Sequence, residues 1–460
     1  MRTYTHRCFE GIPTQDPIIL AVSGGSDSLA LLLLANAWAK NSDASLHAVT
    51  IDHGLRPEAA AEAAFVASVC AGLGIDHVTL AWEGQKPVLG IQNAARQSRY
   101  ALLDQYAHSI GAQTILTGHT LDDQAETVFM RLQRHKQKSD GNGLSGMSRV
   151  TWLYGGKAIY RPLLGLSRST LRSTLNDFSQ SWIEDPSNLD ESYERVVVRK
   201  HLSKNPEVAT QILALSNTCS KLRHVEAKQC AQLLDDNASL QKGGVFELST
   251  NDILKQTSQA SIAHPVFLRA AQCLLAMAGG QDYLVQRSKI KPILEKLLVD
   301  GETRATVGGA VVEKTTKGLR FYRESRNFTS LILEPGESAI WDGRLHLYNE
   351  TPSAVFVEAG KRVLLRELEQ ENEKKFDLKP RMALWSTPIL HLQTDVSKQA
   401  PKGKKSICLP LIDPSNVPAG LDLRLASPAI EHFCSEYDAP IKDWIHSLDR
   451  YVSASISPKN

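Results

Sequence analysis

Short apolar runs alternate with longer, helix-length stretches through the first 180 or so residues. Pro17–Val22 is short and apolar enough for a buried strand, and Ser28–Lys40 is an apolar run of helical length. Ser45–Ile51 predicts a second strand and the Ala-rich Glu58–Ala71 a second helix. Ile75–Ala81 reads as a strand. Asn93–Ile110 places Tyr100, Leu103 and Ala107 at helical spacing, Thr114–Leu116 is a brief strand, and Asp122–Gln133 is a helix. Strands and helices in turn predict a parallel sheet with helices on both faces, and in such sheets ligands sit beyond the carboxyl ends of the strands.

Lys136–Gly146 has loop composition, rich in Lys, Ser and Gly. From Ser192 to about Leu298 the pattern is mainly helical, interrupted around Val245–Ser249 and at Pro265. Thr303–Tyr322 turns β-like, with Gly308-Gly309 as a turn. Asn327–Thr329 is a candidate linker, and Leu331–Leu333 and Val363–Arg366 are short strands in a tail of Pro and Lys loops. The expected fold class is α/β. A Rossmann-like parallel-sheet domain spans 1–215, a mainly helical domain ending in a β segment spans 216–326, and a smaller mixed α/β domain spans 327–460.

Of 460 residues, 42% are hydrophobic and 6% aromatic, enough for sizeable cores, while 29 Gly and 20 Pro exclude low-complexity classes. The formal charge of +2 excludes a uniformly polybasic protein, so any nucleic-acid surface is a local patch. One segment stands out. Between Met130 and Thr170 lie Arg131, Arg134, Lys136, Lys138, Arg149, Lys157, Arg161 and Arg168, opposed by one acid, Asp140. Trp152 and Tyr154 lie within it, as core residues or as stacking partners for an unpaired base. A second basic cluster, Lys398, Lys402, Lys404 and Lys405, has the composition of a solvated loop. The longest apolar run, Leu29–Ala39, is too short to span a bilayer, and the N-terminus lacks the apolar core of a signal peptide. Seven scattered cysteines without CxxC spacing argue against a disulfide framework or a cysteine zinc site, and favour a reduced cytoplasmic setting. HExxH and GxSxG are absent.

The most informative segment is Ala21-Val22-Ser23-Gly24-Gly25-Ser26-Asp27-Ser28, an apolar strand running straight into a helix. Two adjacent glycines let backbone N–H groups turn inward, and the helix N-terminus adds donors that have no intrahelical partner. With the hydroxyls of Ser23, Ser26 and Ser28, this composes a phosphate or pyrophosphate site. There is no GxxxxGK[ST], so the loop is not of the Walker A type. The plain alternative is a Ser/Gly turn with a capped helix.

SGGSDS resembles the signature loop of the N-type ATP pyrophosphatases, which cleave ATP between the α- and β-phosphates and adenylate a substrate. Four further segments narrow the resemblance: Ile51–Arg56 (IDHGLR), Asn93–Tyr100 (NAARQSRY), Thr117–Thr127 (TGHTLDDQAET), and Arg161–Leu164 followed by Trp182–Asn188 (WIEDPSN), Arg195 and Arg199. In this order they resemble the tRNA(Ile)-lysidine synthases, densely over about 17–203 and faintly again over Thr303–Glu324. Two positions depart from the family pattern: Thr120 stands where a second histidine is usual, and Val196 where an asparagine is common.

The resemblance implies an adenine nucleotide alpha hydrolase-like fold and a two-step ligation. ATP activates C2 of the wobble cytidine in the CAU anticodon of a minor tRNA(Ile), releasing pyrophosphate, and the ε-amine of L-lysine then displaces AMP. The implied cofactors are ATP and Mg²⁺, with Asp27 as candidate metal ligand. The implied ATP site is Ala21, Ser23, Gly24, Gly25, Ser26, Asp27, Ser28, His53, Gly118 and His119. Asp27, Asp123, Glu126, Arg99 and Arg195 are the candidate catalytic residues, and Arg96 lies near Arg99 on the same helix. Asp123 and Glu126, spaced i, i+3, share a helix face and could hold the lysine ammonium, one of them acting as base. Which one is open, and acids in a first helical turn also serve as caps. Arg131, Arg134, Lys136, Lys138, Arg161 and Arg199 are the candidate tRNA contacts. No membrane partner is expected, and oligomeric state, a homodimer included, is open. Three rival readings remain: a tRNA thiolation enzyme, for which a CxxC is lacking; a GMP or NAD synthetase, which leaves the basic segment unexplained; and a non-catalytic nucleotide- or RNA-binding protein.

Overall fold

A computed structural model describes residues 7–453 except 56, 88–89, 139–141, 154–155, 185–189, 251–263, 361–382, 384–385, 393–406, 409–419 and 432–433. The chain forms two compact units, Met1–Arg223 and His224–Asn460.

In the first unit, strands β1 (Ile18–Ala21), β2 (Leu46–Asp52), β3 (Asp76–Ala81), β4 (Thr114–Thr117), β5 (Val150–Trp152) and β6 (Ala158–Tyr160) pair in the order β5-β6-β4-β1-β2-β3. All neighbours are parallel except β5 against β6. Ala21, the last residue of β1, pairs with Val49 on one side and Thr117 on the other. The strand order reverses between β1 and β4. Their carboxyl ends therefore splay and leave a crevice, the usual ligand position in such sheets.

The helices are α1 (Ser26–Ala39), α2 (Ala59–Leu73), α3 (Ile91–Ser109), α4 (Leu121–Lys138), α5 (Arg168–Asp177) and α6 (Glu194–Lys204). Helix α1 is buried along Leu29–Ala35 because it lies inside the unit's main apolar cluster, with Ile18, Leu20, Val66, Leu116, Leu171 and Leu175. Its apolar run is thus a core helix. A second, smaller cluster joins Ala125 and Phe129 of α4 to Val198 and Leu202 of α6. That packing brings the adjoining strip of the same α6 face, with Arg195 and Arg199 at i, i+4, against the carboxylates of α4.

Three sequence expectations need correction or completion. The loop composition of Lys136–Gly146 misled at its start, because α4 continues through Lys138, Lys and Gln being good helix formers. A 3-10 turn then occupies Asn142–Ser145. The β5–β6 pair and α5 were not foreseen; the two strands are three residues each, too short for periodicity to show. The strand expected at Val363–Arg366 lies outside the described residues.

In the second unit a five-stranded antiparallel sheet contains Ala238–Gln241, Val245–Ser249, Arg304–Val307, Ala310–Lys314 and Gly318–Arg323. Helix Pro265–Gly279, buried from Val266 onward, packs on that sheet. Two smaller sheets follow, and one apolar cluster runs from Ala227 to Leu448, including Phe267, Phe321, Trp341 and Ile445. Residues on both sides of 326 contribute to it. Among the described residues no helix is long and apolar enough to cross a membrane.

Candidate active site

The Ser23–Ser28 loop bridges β1 and α1 at the crevice. Gly24 takes φ +83°, a left-handed conformation that favours glycine, and a Cβ there would lie 2.8 Å from Ile183 Cδ1. The Ile183 N–H donates to the Gly24 carbonyl at 2.9 Å, so the Ile183 backbone braces the loop from behind. Ser28 Oγ donates to the Gly25 carbonyl (3.0 Å) and accepts from the Ser23 N–H (3.1 Å), fastening the loop's two ends. Helix α1 starts at Ser26 without a side-chain cap, which leaves the first-turn N–H groups facing the crevice, an anion site by construction. Gly118 closes the other wall: a Cβ there would sit 2.9 Å from the Asp27 carbonyl oxygen. The resulting cleft holds about 480 Å³ and is lined by Ala21, Ser23, Gly25–Ser28, Arg99, Gly118, His119, Asp123, Arg168, Arg195 and Arg199, among others.

At the floor of the cleft three carboxylates meet three guanidinium groups. Asp123 Oδ2 accepts from the Thr120 N–H and Oγ1, both at 2.9 Å, while Thr120 Oγ1 accepts from the Asp123 N–H at 3.2 Å. This reciprocal capping box fixes the start of α4 and leaves Oδ1 free to face the cleft. Thr120, fully buried, thus has a defined task at the position where the family often has histidine. Asp123 Oδ1 accepts from Arg195 Nη2 (2.9 Å) and Arg168 Nη2 (3.1 Å). Glu126, its side chain 2% exposed, accepts from Arg195 Nε (2.6 Å) and Arg199 Nε (2.7 Å). Asp27 Oδ2 accepts from Arg168 Nε at 3.1 Å.

Burial works to raise the Asp123 carboxyl, but Arg195 and Arg168 outweigh it and hold its pKa below the ordinary value. Burial prevails at Asp27 and raises its pKa, against the pull of Arg168. His119, bonded through Nδ1 to Thr117 Oγ1 at 2.9 Å, is pushed down to about 3 by burial and by Arg161, so its imidazole is neutral at working pH. A neutral ring in the folded state and an ordinary pKa of 6.5 when unfolded mean that the unfolded chain binds the extra proton first. This contribution to stability is complete above pH 6.5 and is lost as pH falls toward 3. His119→Gln should therefore flatten the acid limb of a Tm-against-pH profile relative to wild type. Parallel profiles would contradict the assignment.

The PP-loop domain family matches residues 2–206. The chain is 36% identical over 346 residues to the tRNA(Ile)-lysidine synthase of Rhizobium meliloti, covering 73% of this chain and 74% of that protein. It is 39% identical to that of Mesorhizobium japonicum, covering 76% and 77% of the two chains. With that of Brucella canis it shares 32% identity, and the alignment covers 97% of both. The chain belongs to the tRNA(Ile)-lysidine synthase family.

Most of the residues expected for a lysidine synthase site converge: Ala21, Ser23, Gly25, Ser26, Asp27, Ser28, Gly118, His119, Arg99, Asp123 and Arg195 line one cleft, with Glu126 directly beneath. His53 is set apart from that lining. It packs edge-on against Trp82 (5.9 Å between centroids) and meets Arg99 Nη2 at 3.5 Å.

The basic segment disperses. Arg161 is buried, donating to the Ser148 carbonyl (2.9 Å) and Thr151 Oγ1 (2.8 Å), so its charge is turned inward rather than toward an RNA. Lys157 pairs with Asp104 at 2.9 Å, and Arg149 donates to the Cys8 carbonyl at 3.0 Å. Arg131 donates to the Gly143 carbonyl at 2.8 Å, and Arg134, exposed, pairs with Glu194. The side chains of Lys136 and Lys138, Tyr154, the second half of WIEDPSN and the 398–405 lysines lie outside the described residues. Arg199, expected at the RNA, is instead a partner of Glu126. Sequence reasoning counted Arg168 only as part of the basic patch and missed its place in the site. No periodicity marks a residue whose partners lie as far as 141 positions away, so no local signal was there to read.

Proposed function

We propose that this cleft ligates L-lysine to C2 of the wobble cytidine in the CAU anticodon of a minor tRNA(Ile), changing decoding from AUG to AUA and charging from Met to Ile. The observation that carries this is the junction of a phosphate loop with a carboxylate cluster at the β1/β4 crevice. The loop alone fits any enzyme that releases pyrophosphate. The cluster adds a seat for a cationic nucleophile.

In the first step the cytidine O2 attacks the ATP α-phosphorus and the bond to the β-phosphate breaks. The first-turn N–H groups of α1 take up charge on departing pyrophosphate. Mg²⁺ fits here: Asp27 supplies one half-buried carboxylate at the mouth of the phosphate loop, and Mg²⁺ is commonly held by one or two carboxylates plus substrate phosphates. When bound, it would neutralise phosphate charge. Arg99 lines the cleft as a phosphate partner, and neutral His119 offers hydrogen bonding without an extra charge.

In the second step the lysine ε-nitrogen bonds to C2, the C2–O bond to AMP breaks, and the ammonium proton passes to the enzyme. Asp123, held ionised by Arg195 and Arg168, is suited to bind the ammonium. Arg195 and Arg199 fix the Glu126 carboxylate beside it.

The deciding experiment is incorporation of radiolabelled lysine into transcribed tRNA(Ile)(CAU) with ATP and Mg²⁺, elongator tRNA(Met) serving as control. Selective, ATP-dependent labelling is expected. Pyrophosphate release that depends on tRNA but brings no lysine would point to another nucleophile. We place the enzyme in the cytoplasm, where its substrate tRNA is found. For RNA binding, Arg134 is exposed, and Lys136 and Lys138 follow it in the sequence of the same helix. Replacing all three by Ala should weaken tRNA binding and lower the slope of log K against log salt by about 2–3, at roughly 0.9 for each phosphate no longer neutralised. An unchanged slope would remove this helix end from the interface.

A further inference from the structure

Arg168 ties the phosphate side of the cleft to the carboxylate side. It is the first residue of α5, after the N-cap Ser167, whose side chain accepts from the Thr170 N–H. The Arg168 backbone N–H donates to Asp122 Oδ2 at 2.7 Å, so the side chain starts from an anchored point. From there its guanidinium reaches Asp27 Oδ2 at 3.1 Å, Asp123 Oδ1 at 3.1 Å and Glu126 Oε1 at 3.6 Å. Asp123 and Glu126 have Arg195 and Arg199 as further partners, whereas Arg168 is the only cation bonded to Asp27 among the described residues. The guanidinium thus occupies the place an incoming ammonium needs, and one charge serves carboxylates on both sides.

We infer that Arg168 is a positioning residue that couples the two substrate sites, closing the lysine site in the free enzyme and opening it when nucleotide phosphates draw its guanidinium toward the loop. The inference rests on the ligase reading above. Guanidinium groups bind phosphate oxygens in forked pairs at least as well as they bind carboxylates. A nucleotide in the Ser23–Ser28 loop places such oxygens beside Asp27, which Arg168 already touches. Once the guanidinium turns to them, Asp123 and Glu126 lose one cation, and the lysine ammonium replaces it with no change in the charge of the cluster. Lysine then enters after ATP, and the two ligands strengthen each other's binding by the same factor.

Calorimetric titration of L-lysine into the full chain, with and without α,β-methylene-ATP, tests this. The analogue resists cleavage at the bond the enzyme breaks. For the wild type, lysine should bind about 10-fold or more tightly with the analogue present. In Arg168→Met and Arg168→Gln the two affinities should converge, chiefly because lysine binds the free variant more tightly. Arg168→Lys keeps the charge but cannot span three carboxylates, and should retain only part of the coupling. Equal wild-type affinities with and without the analogue would overturn the coupling and leave the ligase reading standing. Full coupling in the variants would assign it to other residues. Absence of lysine binding in every state, tRNA included, would overturn the ligase reading itself.

Discussion

Glu126→Gln should lower lysine transfer by about 10²–10⁴-fold, the range for loss of a positioned acid–base group, while ATP binding stays within a few-fold of wild type. The side chain is 2% exposed and receives Nε–H donors from Arg195 and Arg199 at 2.6 and 2.7 Å. Glutamine keeps the shape but loses the charge, and its amide NH₂ can meet the arginines only donor to donor. Breaking one partner of a buried pair costs about 3–5 kcal/mol, and less here because Arg195 and Arg199 can turn to water. Their side chains are 45% and 29% exposed. The variant should therefore fold, with a lowered Tm, and still form adenylated tRNA. Measuring AMP attached to tRNA separately from lysine incorporation distinguishes the steps. Equal loss of both would move Glu126 from the second step to the first.

The second large effect is expected at Gly118. Gly118→Ala would place a methyl group 2.9 Å from the Asp27 carbonyl oxygen and 3.1 Å from Ser28 Cα. Both are backbone atoms of the phosphate loop, so no flexible side chain can yield. The loop must shift, and displacement of a positioned group by about 1 Å can cost about 10²-fold in rate. ATP affinity and pyrophosphate release should fall together, with lysine binding to the free enzyme intact. Gly25→Ala is the control, since a Cβ there meets only Ser23 Oγ at 3.9 Å. Equal damage from both substitutions would mean that close approach of Gly118 to the phosphate-loop backbone is not what the site depends on.

Much of the first unit was legible because its signals are local. The strands Ile18–Ala21, Leu46–Asp52 and Asp76–Ala81 fall within a few residues of their expected spans, as do helices α1 to α3. Each is a run whose periodicity or apolar content shows within its own length. Asp123 illustrates the limit. Its place in a first helical turn suggested a cap and its motif suggested catalysis, and the fold divides the carboxylate between two sets of partners: Oδ2 caps the helix while Oδ1 faces the arginines. The basic segment illustrates it from the other side, since charge counted along the chain says nothing about direction. Arg161 points into the core and Arg134 outward, although both add equally to the sum.

The sequence by itself determined the alternating α/β pattern, the SGGSDS loop as a phosphate site, and the set of acidic and basic groups available to the chemistry. These depend on residues close together in the chain, where backbone geometry and hydrogen-bonding capacity are fixed by residue type. The tertiary structure decided which charges meet. The order β3-β2-β1-β4 brings the loop after β1 beside the loop after β4, and the packing of α4 on α6 delivers Arg195 and Arg199 to Glu126. Arg168 joins them from α5, 141 residues after Asp27. Such pairings follow from which apolar faces bury against one another, a property of the whole core that no local window of sequence contains.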